Sequence, residues 1–170
     1  MSSRMLIALV ALAAITPASA SASAVHRCYT SQLAVTPGRA QGAAGSVGQT
    51  VQLRNLAHVT CTLEGYPGML LLNASGHALP TVVHRGASVT VSARPVSVVT
   101  LAPGQSAAFD IGYASATGYA NKRCPTSTRV EITPPNDFAA LTINWRLQSF
   151  GGTIEALRCG LINVSPVYAG

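Results

Sequence analysis

Charge, acids and aromatic rings are all scarce in this chain. Only 9% of its 170 residues are charged and 5% are aromatic. The five acids are Glu64, Asp110, Glu131, Asp137 and Glu155. That leaves little material for glycosidic cleavage, which needs two carboxyls roughly 5–9.5 Å apart in a cleft. A single tryptophan, Trp145, makes no aromatic platform for sugars. It alternates with apolar residues and is expected in the core, the sharper alternative being an exposed sugar-binding ring.

No G-x-S-x-G elbow occurs, and the four histidines (His26, His58, His77, His84) show no spacing that ties them to a serine and an acid as a triad requires. Beyond the leader the only methionine is Met69, so a Met- and His-rich copper site lacks its ligands. His77 and His84 could approach one another along one strand, but seven-residue spacing puts them on opposite faces. No cofactor and no metal are expected. No apolar run reaches the ~20 residues that a membrane-spanning helix needs.

What is present begins with an export leader. Arg4 precedes a nearly unbroken apolar run over residues 5–15, and Pro17 breaks it. Small-x-small sites follow at Ala18-Ser19-Ala20 and Ala22-Ser23-Ala24. This is signal-peptide order, with cleavage preferred after Ala24 and after Ala20 as the alternative. Residues 1–24 are therefore read as a signal peptide and 25–170 as one domain, secreted or held in the cell envelope. A lipid anchor on Cys28 is disfavoured because the bulky cation Arg27 stands immediately before it.

Removing the leader leaves ten Lys and Arg against five acids, and the net charge falls from +6 to +5. About 146 residues remain, enough to bury around two thirds of the unfolded surface. Lys122 is the only lysine, a bias that points to a GC-rich bacterial genome such as an actinobacterium. The cations are scattered, with only Lys122-Arg123 adjacent, and no basic stripe is interleaved with stacking rings. Nucleic acid is not an expected partner. Weak attraction to the anionic cell envelope is the functional reading that the charge leaves.

Period-2 patterns dominate the mature chain, and no amphipathic helix of ten residues is evident. Ala107, Phe109, Ile111 and Tyr113 alternate with Ala108, Asp110 and Gly112. Leu141, Ile143, Trp145 and Leu147 alternate likewise, as do the shorter runs at Leu33/Val35 and Val51/Leu53. Turns are predicted at Tyr66-Pro67-Gly68-Met69 and Ala102-Pro103-Gly104-Gln105, with glycine taking a positive φ. Asn73-Ala74-Ser75-Gly76, Pro134-Pro135 and Gly151-Gly152 mark further corners, and residues 38–48 read as a Gly/Ala-rich loop between two strands. Eight or nine short strands predict a single all-β domain, an antiparallel, immunoglobulin-like β-sandwich.

Four cysteines, Cys28, Cys61, Cys124 and Cys159, lie 33, 63 and 35 positions apart in turn. Zinc and redox motifs need closer spacing such as C-x-x-C, so an exported chain with an even count implies two structural disulfides. Cys28 opens the first strand and Cys61 follows the second. Antiparallel pairing of those strands would bring them together. Cys124 and Cys159 each precede a late strand. The preferred pairs are Cys28–Cys61 and Cys124–Cys159.

One segment carries a wider resemblance. Asn55-Leu56-Ala57-His58-Val59-Thr60-Cys61-Thr62-Leu63-Glu64-Gly65-Tyr66-Pro67-Gly68 is flanked by Gly42-Ala43-Ala44-Gly45-Ser46 and Leu101-Ala102-Pro103-Gly104-Gln105-Ser106-Ala107. Together they resemble an actinobacterial exported family, domain of unknown function 4232, over nearly the whole mature chain. The resemblance implies a secreted or lipid-anchored β-sandwich with structural cysteines and transfers no catalytic residue.

The sequence thus points to a non-enzymatic recognition or structural module, meeting an unidentified protein or envelope component through loops. The candidate contact loop is residues 114–125, with Tyr119, Asn121, Lys122 and Arg123. The rivals are a secreted hydrolase acting on envelope material and a carrier of a small ligand or metal.

Overall fold

The structure, a computed structural model, describes residues 24–43, 45–114, 126–145, 147–148, 154–155, 157–158 and 160–170. These are all-β, with one short 3-10 turn, η1 (Thr30–Gln32). In chain order the strands are β1 (Leu33–Ala43), β2 (Ser46–Asn55), β3 (Cys61–Glu64), β4 (Gly68–Leu72) and β5 (Val82–Arg85). Next come β6 (Val98–Leu101), β7 (Ser106–Ala114), β8 (Thr126–Ser127), β9 (Arg129–Thr133) and β10 (Leu141–Asn144). The last five are β11 (Leu147–Gln148), β12 (Ile154–Glu155), β13 (Leu157–Arg158), β14 (Leu161–Val164) and β15 (Tyr168–Ala169).

The largest sheet has the order β1-β2-β7-β14-β5, with β15 also on β7. A three-stranded sheet, β10-β9-β4, and three two-stranded ones, β3-β6, β8-β13 and β11-β12, complete the set. The apolar residues read from β7 are buried, but Ala108 and Gly112 between them are buried as well, so this strand is covered on both faces. Ala107, Phe109, Ile111 and Tyr113 join the core, where they meet Val51 and Leu53 of β2 and Ile162 and Val164 of β14. Leu63, Leu71, Leu101, Val130 and Ile132 from the smaller sheets enter the same cluster. Trp145, 2% exposed, belongs to it as expected.

Three expectations need correction. Residues 38–48 are not a loop: β1 and β2 run through them as one hairpin, reversing at Gly45 (φ 83°). Their register skips between Pro37 and Ala40, so the extra chain is taken up as a β-bulge. The sheet is not wholly antiparallel, because β5 pairs with β14 in parallel. Residues 160–164 are covered by a strand about 80 positions earlier, which local patterning does not signal. Finally, the glycine with positive φ before β4 is Gly65 (φ 103°), whereas Gly68 already lies in β4. The other predicted turn holds, with Gly104 at φ 80°. Gly76 has φ 83°, and Asn73 Oδ1 accepts the backbone N–H groups of Ser75 and His77.

The solvent-side face of the large sheet is partly covered. Gly48 of β2 stands opposite Gly112 of β7, and together they leave a notch in that face. Residues 86–94 cross it. A Cβ on Gly112 would meet Thr90 Oγ1, Ser88 Oγ and Val91 Cγ2; one on Gly48 would come within 2.9 Å of Thr90 Cβ. The strap seals this packing well enough to bury Val91.

Candidate functional site

Two regions carry polar or exposed groups arranged for contact. The first lies beside the strap. Asp110 projects from the solvent-side face of β7, and its Oδ1 accepts Thr50 Oγ1 and Tyr168 Oη, each at 2.7 Å. Arg94 reaches Asp110 Oδ2 at 3.5 Å, and its guanidinium lies 3.7 Å from the centroid of the Tyr168 ring. Ser165, where the chain bulges between β14 and β15, accepts the Asp110 N–H through Oγ and donates its own N–H to Asp110 O. Burial, and then the bond to Asp110, raise the Tyr168 phenol above its usual range. A shallow groove of about 320 Å³ opens next to Asp110, lined by Gln41, Thr50, Val89 and Thr90 among others. Each partner of this carboxylate ties a different segment to the sheet. The cluster locks the strap and the C-terminal strand in place.

The second region surrounds η1. The Asp137 carboxylate accepts the Thr30 N–H at 2.8 Å and Thr30 Oγ1 at 2.9 Å, and its other oxygen accepts the Phe138 N–H at 2.8 Å. These bonds, the Thr30 and Phe138 N–H groups foremost, hold the Asp137 carboxyl down at about 2. The backbone of residues 137–138 is thereby clamped to η1, and the Phe138 side chain stands 99% exposed. On the other flank, the Leu56 N–H bonds Gln32 O, and Asn55 Nδ2 reaches Val59 O. Leu56 and Val59 are exposed as well. Tyr29 leads into η1, with the Arg27 guanidinium 5.0 Å from its ring centroid and the His26 ring at 6.1 Å. Cys28 then anchors this end: it is bonded to Cys61 with a Cα–Cα distance of 4.9 Å, and both are fully buried.

The Cys28–Cys61 bridge is present, although Cys28 precedes β1 and its segment pairs in parallel with β3, Arg27 against Thr62, with the Cys28 N–H donating to Thr62 O. Antiparallel β1 and β2 set Leu33 opposite Asn55, so the chain before one strand lies beside the chain after the other. The other residues singled out in the sequence fall elsewhere. Cys124 and Cys159 lie outside the described residues, as do Tyr119, Asn121, Lys122 and Arg123 and all of the leader up to residue 23. Met69 is in the core, while His26, His58, His77 and His84 are exposed. Among the described residues no group of three or more His, Cys, Asp or Glu could hold a metal, and no helix is long and apolar enough to cross a membrane. The clamp at Asp137 was not anticipated. Its available signal was an aspartate two residues after the Pro134-Pro135 corner, a place where aspartate commonly binds backbone N–H groups.

Fold and bonding together define an all-β, disulfide-braced domain with one rigid end built around η1. The chain belongs to the family described as Domain of unknown function (DUF4232), whose model matches residues 28–168. No curated protein and no solved structure matches it.

Proposed function

We propose that this protein is exported, freed of its leader after Ala24, and works outside the cytoplasm as a non-enzymatic recognition module of the envelope or medium. The observation that carries this reading is Phe138, a fully exposed aromatic on a backbone fixed by the Asp137 clamp. Exposing a large apolar ring is unfavourable in water, and fixing the backbone that carries it lowers the entropy cost of a later contact. The wider picture is a single immunoglobulin-like sandwich braced by two disulfides. The core shared between the large sheet and the smaller ones supports the sandwich. For the second disulfide the support is register: Arg158, next to Cys159, pairs with Thr126, two residues after Cys124.

Two measurements test the reading. N-terminal sequencing of the protein recovered from culture medium or envelope is expected to begin at Val25. Immobilised oxidised protein is expected to retain a component of an envelope extract, and Phe138→Ala to release it. Tyr119→Ala with Arg123→Ala tests the 114–125 loop in the same assay. A protein found only in the cytoplasm, or capture indifferent to every one of these substitutions, would refute it.

A further inference from the structure

The end built around η1 has a chemistry narrower than general stickiness. Its exposed apolar groups, Tyr29, Leu56, Val59 and Phe138, sit on three segments hydrogen-bonded to one another through η1 and Asn55. Two exposed cations accompany them. Arg27 lies over Tyr29, and Arg54, just before the end of β2, donates from Nε to Gly104 O. Of the acids here, Asp137 is turned into its clamp, where four hydrogen bonds occupy its oxygens. Glu64 brings one exposed carboxylate to the margin, where its backbone carbonyl accepts Asn136 Nδ2.

We propose that this end docks the protein on an anionic lipid surface, Phe138 entering the headgroup–acyl boundary while Arg27 and Arg54 face the lipid charges. This deepens the proposal that Phe138 is the contact group and rests on it.

Three observations favour lipid over a protein partner. A ring 99% exposed has no neighbouring rim to form half of a complementary pocket, and a fluid bilayer needs none. An aromatic–aliphatic tip flanked by arginines matches a surface that is negative outside and apolar just below. The chain as a whole is also basic, at +6.

The test uses the disulfide-bonded chain from residue 25. Among the described residues every member of the core lies between Cys28 and Val167. Co-sedimentation is measured with phosphatidylglycerol-rich vesicles and with pure phosphatidylcholine vesicles, at low and high salt. Binding is expected to the anionic vesicles, to weaken with salt, and to fall about tenfold for Phe138→Ala. Arg27→Glu with Arg54→Glu is expected to abolish the preference for anionic lipid. Phe138 packs on nothing, so its substitution leaves folding intact, and an unchanged circular dichroism spectrum checks this. Absence of binding to either vesicle, or equal binding by Phe138→Ala, overturns the inference. If capture from envelope extract still depends on Phe138, the contact group survives with a protein as its partner. If neither assay depends on Phe138, both proposals fall together.

Discussion

Gly112→Ala is the substitution whose cost the structure defines most closely. The new methyl would sit 2.9 Å from both Ser88 Oγ and Val91 Cγ2, and closer still to Thr90 Oγ1, where ordinary contacts lie at 3.4–4 Å. The strap must therefore retreat by about half an ångström or more over a well-packed patch. Such overpacking costs about 1–3 kcal/mol. Alanine recovers about 0.5–1 kcal/mol of that, because glycine is the poorer strand residue. The net expectation is a loss of about 1–2 kcal/mol, or a Tm lower by about 3–6 °C for a chain of this size. Urea unfolding followed by the fluorescence of Trp145, the sole and buried tryptophan, reads this directly. Gly42→Ala is the control, since its Cβ would meet nothing within 4 Å and should leave stability within about 0.5 kcal/mol. Thr90→Ala removes the hydroxyl nearest the new methyl. The double variant is expected to lose less than the sum of the singles, a coupling typical of residues in contact. If Gly112→Ala unfolds with wild type, or the two substitutions simply add, the strap is not packed into the notch as described.

Three further outcomes are expected. Replacing Cys28 and Cys61 together with Ala, which frees a loop of 33 residues, costs about 4 kcal/mol in the chain-entropy model; a midpoint shift equivalent to less than 1 kcal/mol in urea would contradict it. The Asp137 carboxyl titrates at about 2 in the folded chain against 3.8 ordinarily. Its stabilisation is thus complete above pH 3.8 and is lost as pH falls towards 2, a limb that Asp137→Asn should erase from the stability–pH curve. A carboxyl ¹³C midpoint near 3.8 would show the clamp to be open. Non-reducing peptide mapping should recover Cys124 linked to Cys159, and a peptide joining Cys28 to either of them would exclude that pairing.

The strands legible in the sequence were those whose two faces differ. In β10 burial follows the alternation, with Leu141 and Ile143 half-buried and Thr142 and Asn144 exposed. In β7 the apolar Ala107, Phe109, Ile111 and Tyr113 join the core, whereas Ala108 and Gly112 on the other face are buried too. Cys28–Cys61 was legible because it needs only two sequential strands to form a hairpin. Residues 38–48 misled because small residues usually mark loops. Here Gly48 is small in order to admit Thr90, and Ala40 is small enough to sit buried opposite Gln49. The parallel contact of β5 with β14 depends on the whole chain path and leaves no local pattern. Phe138 lies outside any alternating run, so nothing in its neighbourhood distinguished an exposed ring from a core one. Its exposure follows from a bond between Asp137 and Thr30, 107 positions away.

The bulge in β1 bears on behaviour at high concentration. Among the described residues β1 ends the large sheet and is hydrogen-bonded to a strand on one side only, with β11 lying near it, and such an edge can accept a strand of a second molecule. Pro37 lacks the N–H for such a ladder, and Arg39 sets a charge beside it. Gln49 Nε2 occupies the Gly38 carbonyl at 2.6 Å. A copy approaching this edge would find its hydrogen-bond pattern broken midway, which disfavours strand-to-strand addition there.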